Sequence, residues 1–291
     1  MQGHPVCAVI VTYHPSVGMI ENLSKVFAQV QSLVVVDNRS NAEEVESLRA
    51  ASQTLGFHLI ENEENLGIAE ALNEGVHLAK KQGHPWVMLF DQDSTVTDGF
   101  VDQMLSAWES HPDRERVGSI HPRYLDPQTG IEAVVPRQSD GVPILPMTSG
   151  ALMPIWIFDR IGWFASEYFI DLVDWEYCFR IRAEGFLVAD AADAKLIHAA
   201  GSPAPTTVCG RTFRPSHHSA VRRYYISRNC IVFLRKYFRS FPGSISSCAL
   251  RQLRETIVCV IAEPDRARKF RNILLATWDA LTGRMGKREG L

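Results

Sequence analysis

Residues 86–94 read Trp-Val-Met-Leu-Phe-Asp-Gln-Asp-Ser, five apolar residues that stop abruptly on two carboxylates one residue apart. A short uncharged run of this kind suits a buried strand. The polar half then concentrates negative charge at the strand's carboxyl end, which is costly unless a cation offsets it. Mg²⁺ and Mn²⁺ prefer such hard oxygens and often bridge a few carboxylates to a phosphate. An Asp-x-Asp pair is common by chance, so its meaning depends on what surrounds it.

Upstream, residues 7–12 (CAVIVT) and 33–36 (LVVV) are two more buried-type strands. Between them, residues 16–29 carry Met19, Ile20, Leu23, Val26 and Phe27 at helical spacing. Strand, helix and strand in succession imply parallel strands joined by a right-handed crossover. Residues 57–60 form a third strand. Residues 68–81 form a helix with Ala69, Leu72, Val76 and Ala79 on one face, and residues 86–90 are the fourth strand. Asp98 is placed to cap a helix reaching Trp108, and residues 117–120 read as a further strand. This alternation over the first 120 residues predicts an open α/β sheet. The Pro- and Gly-rich stretch 121–148 carries no assignment. Helical patterning returns at 155–161 and 172–184, and short strands at 188–189 and 195–198 flank an expected turn. From residue 217 onward the pattern is mainly helical.

The 291 residues, 46% hydrophobic and 22% charged, describe a globular protein. Residues 211–291 hold 17 Lys/Arg against 5 Asp/Glu, whereas residues 1–210 hold 13 against 28. An acidic body with a basic tail predicts two units, 1–210 and 211–291. The tail offers contacts to an acceptor, to an anionic membrane surface or to a second copy in a homodimer. Residues 230–241 mix Ile, Phe and Leu with Arg235, Lys236 and Arg239, as an interfacial helix would. No nucleic-acid module accompanies the charge, which argues against a nucleic-acid partner. The six cysteines include no CxxC pair, as expected of reduced thiols in a cytoplasmic protein. Residues 1–4 lack a basic leader, so the apolar run after them reads as a strand rather than a secretion signal. The uncharged stretch 141–158 is broken by Gly141, Pro143, Pro146, Gly150 and Pro154, and would make a poor membrane span.

Ligands of open parallel sheets bind at the carboxyl ends of the strands. Three of the first four strands end in polar groups: Thr12-Tyr13-His14, Asp37-Asn38-Arg39-Ser40 and Asp91-Gln92-Asp93. Asp37 can accept hydrogen bonds from a base or ribose, or simply build a turn.

The segments VIVTYH (9–14), VVVDNRS (34–40), ENLGIAEALNEG (64–75), LFDQDS (89–94) and DLVDWEYCFR (171–180), followed by KLIHAAG (195–201), appear in the order seen in family 2 glycosyltransferases. The chain resembles that family over about residues 6–200. Its DQDS and FIDLVDWEYCFR forms are most similar to bacterial rhamnosyltransferases, which use dTDP-L-rhamnose. The resemblance implies a GT-A-type open, mostly parallel sheet flanked by helices, with a mainly helical basic C-terminal region. It implies an inverting enzyme that uses Mg²⁺ or Mn²⁺. This enzyme would move L-rhamnose to a hydroxyl of a glycan or lipid-linked saccharide in surface polysaccharide synthesis, at the inner face of the cell membrane. A UDP-hexose donor and a noncatalytic binding module are the alternatives. A dinucleotide oxidoreductase is disfavoured because no GxGxxG follows the first strand.

Residue roles follow from the same resemblance. Thr12, Tyr13 and Asp37 would line the base pocket, and the backbone at Asn65 and Gly67 would face the donor. Asn73 and Gly75 would serve helix packing. Asp91 would contact ribose or metal, and Asp93 and His198 would be metal ligands. Asp174 would be the catalytic base, standing beside Val173 where the family usually has a second acid; one carboxylate suffices for inversion. Asp171 and Glu176 are its alternatives, and Asp171 could equally contact sugar or acceptor, or cap the helix. Ser149-Gly150 resembles a turn near the sugar. Among Arg222, Arg223 and Arg228, with Asn229 beside them, Arg228 is the preferred cation for the diphosphate.

Overall fold

Four parallel strands form one half of the main sheet: β1 (His4–Thr12), β2 (Val30–Asp37), β3 (His58–Glu61) and β4 (Trp86–Asp91), in the order β3-β2-β1-β4. Residues 6–11 of β1 are buried, as the uncharged run requires of a strand covered on both faces. Helices α1 (Met19–Phe27), α2 (Ala42–Leu55) and α3 (Ile68–Lys81) supply the crossovers. This computed structural model describes residues 4–16, 18–127, 129–133, 147–198, 206–208, 211–213 and 217–291.

The other half of the sheet is mixed. It contains β5 (Thr95–Val96), β6 (Val117–Leu125), β7 (Leu152–Pro154) and β8 (Leu187–Ile197), and the whole order is β3-β2-β1-β4-β7-β6-β8-β5. Four of the seven described pairings are parallel; β7 runs antiparallel to β4 and β6, and β5 to β8. Helices α4 (Phe100–Glu109), α5 (Trp156–Ile161) and α6 (Val173–Ala183) complete the α/β region.

Three local expectations change. Helix α2 has no counterpart in the sequence reading because it buries only Leu48 and Ala51, too thin an apolar stripe to register as periodic. Its capping box, Asn41 with Glu44, is the signal that marks it. Helix α4 has Gly99 at its N-cap, with φ 68° and no capping side chain, so Asp98 does not cap it. Residues 188–189 and 195–198 do not form two strands about a turn. Nearly all lie in the single strand β8, whose partner register jumps from Pro122↔Ala191 to Arg123↔Lys195. That irregularity stands where the turn was expected.

The chain divides into two compact units, one of Met1–Ala165 with Tyr177–Ala200 and the other of Ser166–Glu176 with Gly201–Leu291. The second is built on α7 (Ala220–Tyr237), α8 (Pro242–Ala262) and α9 (Arg266–Thr282), with a hairpin of β9 (Thr206–Val208) and β10 (Arg211–Phe213). In the segment 230–241, read as an interfacial helix, Cys230, Phe233 and Tyr237 are buried, while Arg235, Lys236, Phe238 and Arg239 are exposed. Further exposed apolar side chains occur on α8 and α9. Cys209, the expected boundary at residue 210 and the part of the uncharged stretch at 141–146 lie outside the described residues. Among the described residues no helix is long and apolar enough to cross a membrane.

Two glycines allow close packing. A Cβ on Gly75 would collide with Val9 of β1 and press on Val36 of β2. Asn73, two residues earlier, exchanges hydrogen bonds with the backbone of Phe164. Gly150 has φ 78°, and a Cβ there would lie 2.7 Å from Pro122 Cγ and 2.9 Å from Leu196 Cδ2. We expect Gly150→Ala to destabilise the fold by about 2–4 kcal/mol, through left-handed backbone strain plus overpacking, read as a lower urea midpoint. His121 gives a pH prediction. It is buried, with Nδ1–H donating to the Met147 carbonyl at 3.0 Å and Nε2 accepting from Ser119 Oγ at 2.6 Å. Burial pushes its pKa down from 6.5 to about 4. The unfolded chain therefore binds the extra proton first, and stability falls as pH drops from about 6.5 towards 4. A His121→Gln variant is expected to show a shallower slope in that window, measured by denaturant titration.

Candidate active site at the strand ends

The carboxyl ends of β2, β1 and β4 are level, with Thr12 opposite Asp37 and Val11 opposite Asp91. Strand order reverses between β1 and β4, so this rim is a topological switch point, where open sheets bind ligands. Gln92 straps the two strand ends together. Its Oε1 accepts from Tyr13 N–H at 2.9 Å, and its Nε2 donates to Tyr13 O at 3.2 Å. Gln92 had no assigned role in the sequence, because only the fold brings residue 13 beside it.

The groups expected at the base pocket separate. Asp37 is buried; its Oδ1 accepts from Thr12 Oγ1 at 2.9 Å and Ser40 Oγ at 2.5 Å, and its Oδ2 accepts from Ser40 N–H at 2.9 Å. Thr12 and Asp37 thus tie the ends of β1 and β2 to each other. Tyr13, 48% exposed, is the open member of the trio. The turn at residues 65–67 is likewise internally satisfied. Leu66 N–H donates to Asn38 Oδ1 and Gly67 N–H to Asn65 Oδ1, both at 2.9 Å. The expectation that this backbone faces the donor is corrected to that extent, because these two donors are taken. Gly67 has φ 86°, a conformation that favours glycine.

Asp91, Asp93 and His198 converge. One ligand atom from each lies within 4.8 Å of the others. His198 Nε2 is 3.8 Å from Asp91 Oδ2, and His198 Nδ1 is 3.5 Å from Asp93 Oδ1. The cause is topological. Ser94 N–H turns back to Asp91 O, and β5 pairs antiparallel with the end of β8, Thr95 opposite Ile197, so the next residue of β8's chain, His198, meets the turn. Ser94 Oγ bonds His198 Nδ1 at 2.9 Å and Ser149 Oγ at 2.6 Å, and Ser149 Oγ receives Asp91 N–H at 3.1 Å. His198 is 8% exposed, whereas the Asp91 and Asp93 side chains are 43% and 57% exposed. A held imidazole behind two open carboxylates fits a small divalent cation, with room for further oxygen ligands on the solvent side. Ser149 is thus a support beneath the cluster, and Gly150 is a packing residue. Neither lies as the expected sugar-facing turn.

The remaining candidates lie in the second unit. Asp174 is half-buried in the first turn of α6, and its Oδ1 accepts from Trp175 N–H at 2.9 Å. Asp171 does not act as a simple cap: its carboxylate is bound by Arg222, with Nε and Nη2 each 3.0 Å from Oδ1. Burial pushes the Asp171 pKa up, and Arg222 opposes that shift. Glu176 is fully buried between Lys236 Nζ at 2.7 Å and Tyr237 OH at 2.8 Å, which removes it as an alternative base. Arg228, expected at the diphosphate, is 1% exposed, and its guanidinium donates to the carbonyls of Glu167, Tyr168 and Gly286. The sequence showed an arginine among tyrosines but not which way it faced.

Residues 7–131 match the family model described as Glycosyl transferase family 2. Over 298 residues the chain is 28% identical to the dTDP-rhamnosyl transferase RfbF of Shigella flexneri, covering 96% of both proteins. Among solved structures it is similar to the mannosyltransferase PcManGT from Pyrobaculum calidifontis in complex with GDP-Man and Mn²⁺. That likeness has TM-score 0.59 and 15% identity over 96% of this chain and 88% of that one. It is also similar to S. aureus TarS 1-349 in complex with UDP-GlcNAc, with TM-score 0.56 and 11% identity over 96% and 92% of the two chains. The level strand ends, the acid–acid–imidazole cluster and these matches agree: residues 7–131 match family 2 glycosyltransferases, the sheet is of the GT-A type, and the protein is a glycosyltransferase.

Proposed function

We propose that the protein transfers L-rhamnose from dTDP-L-rhamnose, with inversion, to a hydroxyl of a glycan or lipid-linked saccharide in bacterial surface polysaccharide synthesis. The observation that carries the reading is the Asp91-Asp93-His198 cluster at the rim of a chain that is similar, over nearly its whole length, to a dTDP-rhamnosyl transferase. Asp91, Asp93 and His198 would hold a divalent cation, which when bound would supply positive charge to stabilise the departing diphosphate. The imidazole among the oxygens favours Mn²⁺ over Mg²⁺. Tyr13 lies on the exposed side of the β1 end and packs against the base. Asp174 accepts the proton of the acceptor hydroxyl as its oxygen bonds to the anomeric carbon, and the bond from that carbon to the diphosphate oxygen breaks with its electron pair.

The basic second unit supports a place at the inner membrane surface of the cytoplasm. Helix α8 exposes Leu250, Leu253 and Ile257, and α9 exposes Leu274, Trp278 and Leu281, with Arg251, Arg254 and Arg271 exposed beside them. Apolar stripes flanked by arginine suit the headgroup region of anionic lipid. Sedimentation with phosphatidylglycerol vesicles but not with phosphatidylcholine vesicles is expected. A concentration-dependent dimer without vesicle binding would assign these faces to a second copy instead.

Three measurements test the transfer reading. In a thermal-shift screen, dTDP-L-rhamnose should stabilise the protein more than UDP-glucose does, and only with Mn²⁺ or Mg²⁺ present. Saturation near 100 times Kd corresponds to about 2.7 kcal/mol. Preference for UDP-glucose would reassign the donor. Asp93→Asn should abolish the metal dependence of that shift, and Ser94→Ala should weaken Mn²⁺ binding by about 10- to 100-fold by freeing the His198 ring. Asp174→Asn should lower kcat by about 10²–10⁴-fold and leave the donor-induced shift intact; near-normal turnover would remove Asp174 from the role.

A further inference from the structure

Three non-glycine residues within four positions, Phe169, Asp171 and Leu172, have left-handed backbone with φ of 65°, 65° and 61°. Side chains with a Cβ rarely adopt this conformation, and a run of it persists only where the surroundings over-determine it. The run ends one residue before α6, in whose first turn Asp174 stands.

Adjacent residues of α7 grip this run through its carbonyl oxygens. Asn229 Nδ2 donates to Tyr168 O at 2.9 Å, Ile170 O at 2.8 Å and Asp171 O at 3.0 Å, its two hydrogens shared among three acceptors. Arg228 Nη2 donates to Glu167 O and Tyr168 O, each at 3.2 Å, and Nη1 donates to Gly286 O at 2.6 Å. Arg228 Nε donates to Asn229 Oδ1 at 3.0 Å, which fixes the amide so that its NH₂ side faces the carbonyls. Both side chains are fully buried, and the arginine lies over the rings of Tyr224 and Tyr225. Buried polar donors matched so completely to backbone acceptors specify one conformation of the segment they hold. Arg222 adds an outer tie through the Asp171 carboxylate.

We propose that Arg228 and Asn229 are positioning residues for the catalytic base. They hold the carbonyls of residues 167–171 and so fix the left-handed turns at Phe169, Asp171 and Leu172 that set the start of α6 and the direction of Asp174. The role rests on the assignment of Asp174 as base. Neither residue touches substrate. A small displacement of a reacting group is costly to the chemical step while leaving donor affinity untouched, and this separates positioning from binding.

The test uses the full chain with Mn²⁺ and dTDP-L-rhamnose, with water as the acceptor of the sugar and release of dTDP as the readout, and with Asn229→Ala, Asn229→Ser and Asp174→Asn in parallel. Asn229→Ala should lower kcat about 10- to 100-fold with donor KM within about twofold of wild type. Asn229→Ser, which keeps one donor, should fall between. Hydrogen–deuterium exchange across residues 166–176 should rise in both variants. Should Asn229→Ala fail to fold, Arg228→Lys carries the same test, because it keeps the charge and loses the Nε–H that orients the amide. Unchanged kcat per folded molecule, whatever the loss in Tm or change in KM, would overturn the proposal, as would unchanged exchange. An active Asp174→Asn protein would instead sink the base assignment. An inactive one, beside normal Asn229 variants, would sink the clamp alone.

Discussion

The antiparallel pairing of β5 with β8, only Thr95 with Ile197 and Val96 with Leu196, closes one edge of the sheet and decides where its chemistry can occur. Strand β4 delivers Asp91 to the rim by its own apolar run. Without the return of β5 onto β8, however, Asp93 and Ser94 would have no reason to meet residue 198. Two hydrophobic side chains make the pairing worthwhile, since Val96 and Leu196 are both buried in the main core. The acid–acid–imidazole constellation is thus assembled by the same burial that completes the sheet.

What stands behind the cluster is as specific as the cluster. Ser94 bridges His198 and Ser149, Ser149 receives the Asp91 amide, and Tyr124 OH donates to the Ser149 carbonyl at 3.0 Å. Gly150 lets this turn lie against Pro122 and Leu196, where a side chain would force it away. Two like charges remain tolerable at the rim because they face water, while the imidazole that completes the set is buried and held by a neutral hydroxyl.

The second unit buries charged and polar groups among its apolar ones. Lys269 is paired with Glu263 at 2.7 Å, and Tyr224 OH donates to Asp279 at 2.6 Å; all four residues are buried. Arg228 and Asn229 follow the same logic, with main-chain carbonyls as their partners. Such an interior leaves little trace in a hydrophobic pattern. That is why residues 217–291 read only as helical and basic, and why the arginine expected to meet a diphosphate turns out to hold backbone.

The amino-acid sequence by itself determined the parallel strands β1 to β4, helix α3 and the polar character of the strand ends, because these depend on local apolar periodicity and on where it stops. It also determined that Asp91 and Asp93 share a rim and that the order of motifs resembles family 2 glycosyltransferases. Helix α2, with two buried residues, fell below what periodicity can reveal. Only the tertiary structure decided which polar groups face solvent and which are consumed internally. Asp37 is buried under Thr12 and Ser40, the turn at residues 65–67 is closed by Asn38, and His198 is brought across a gap of over one hundred residues to Asp91 and Asp93. The physical reason is that a hydrogen-bonding group's role depends on its partner. For these residues the partners come from strand pairing and helix packing between distant parts of the chain, which spacing along a sequence does not encode.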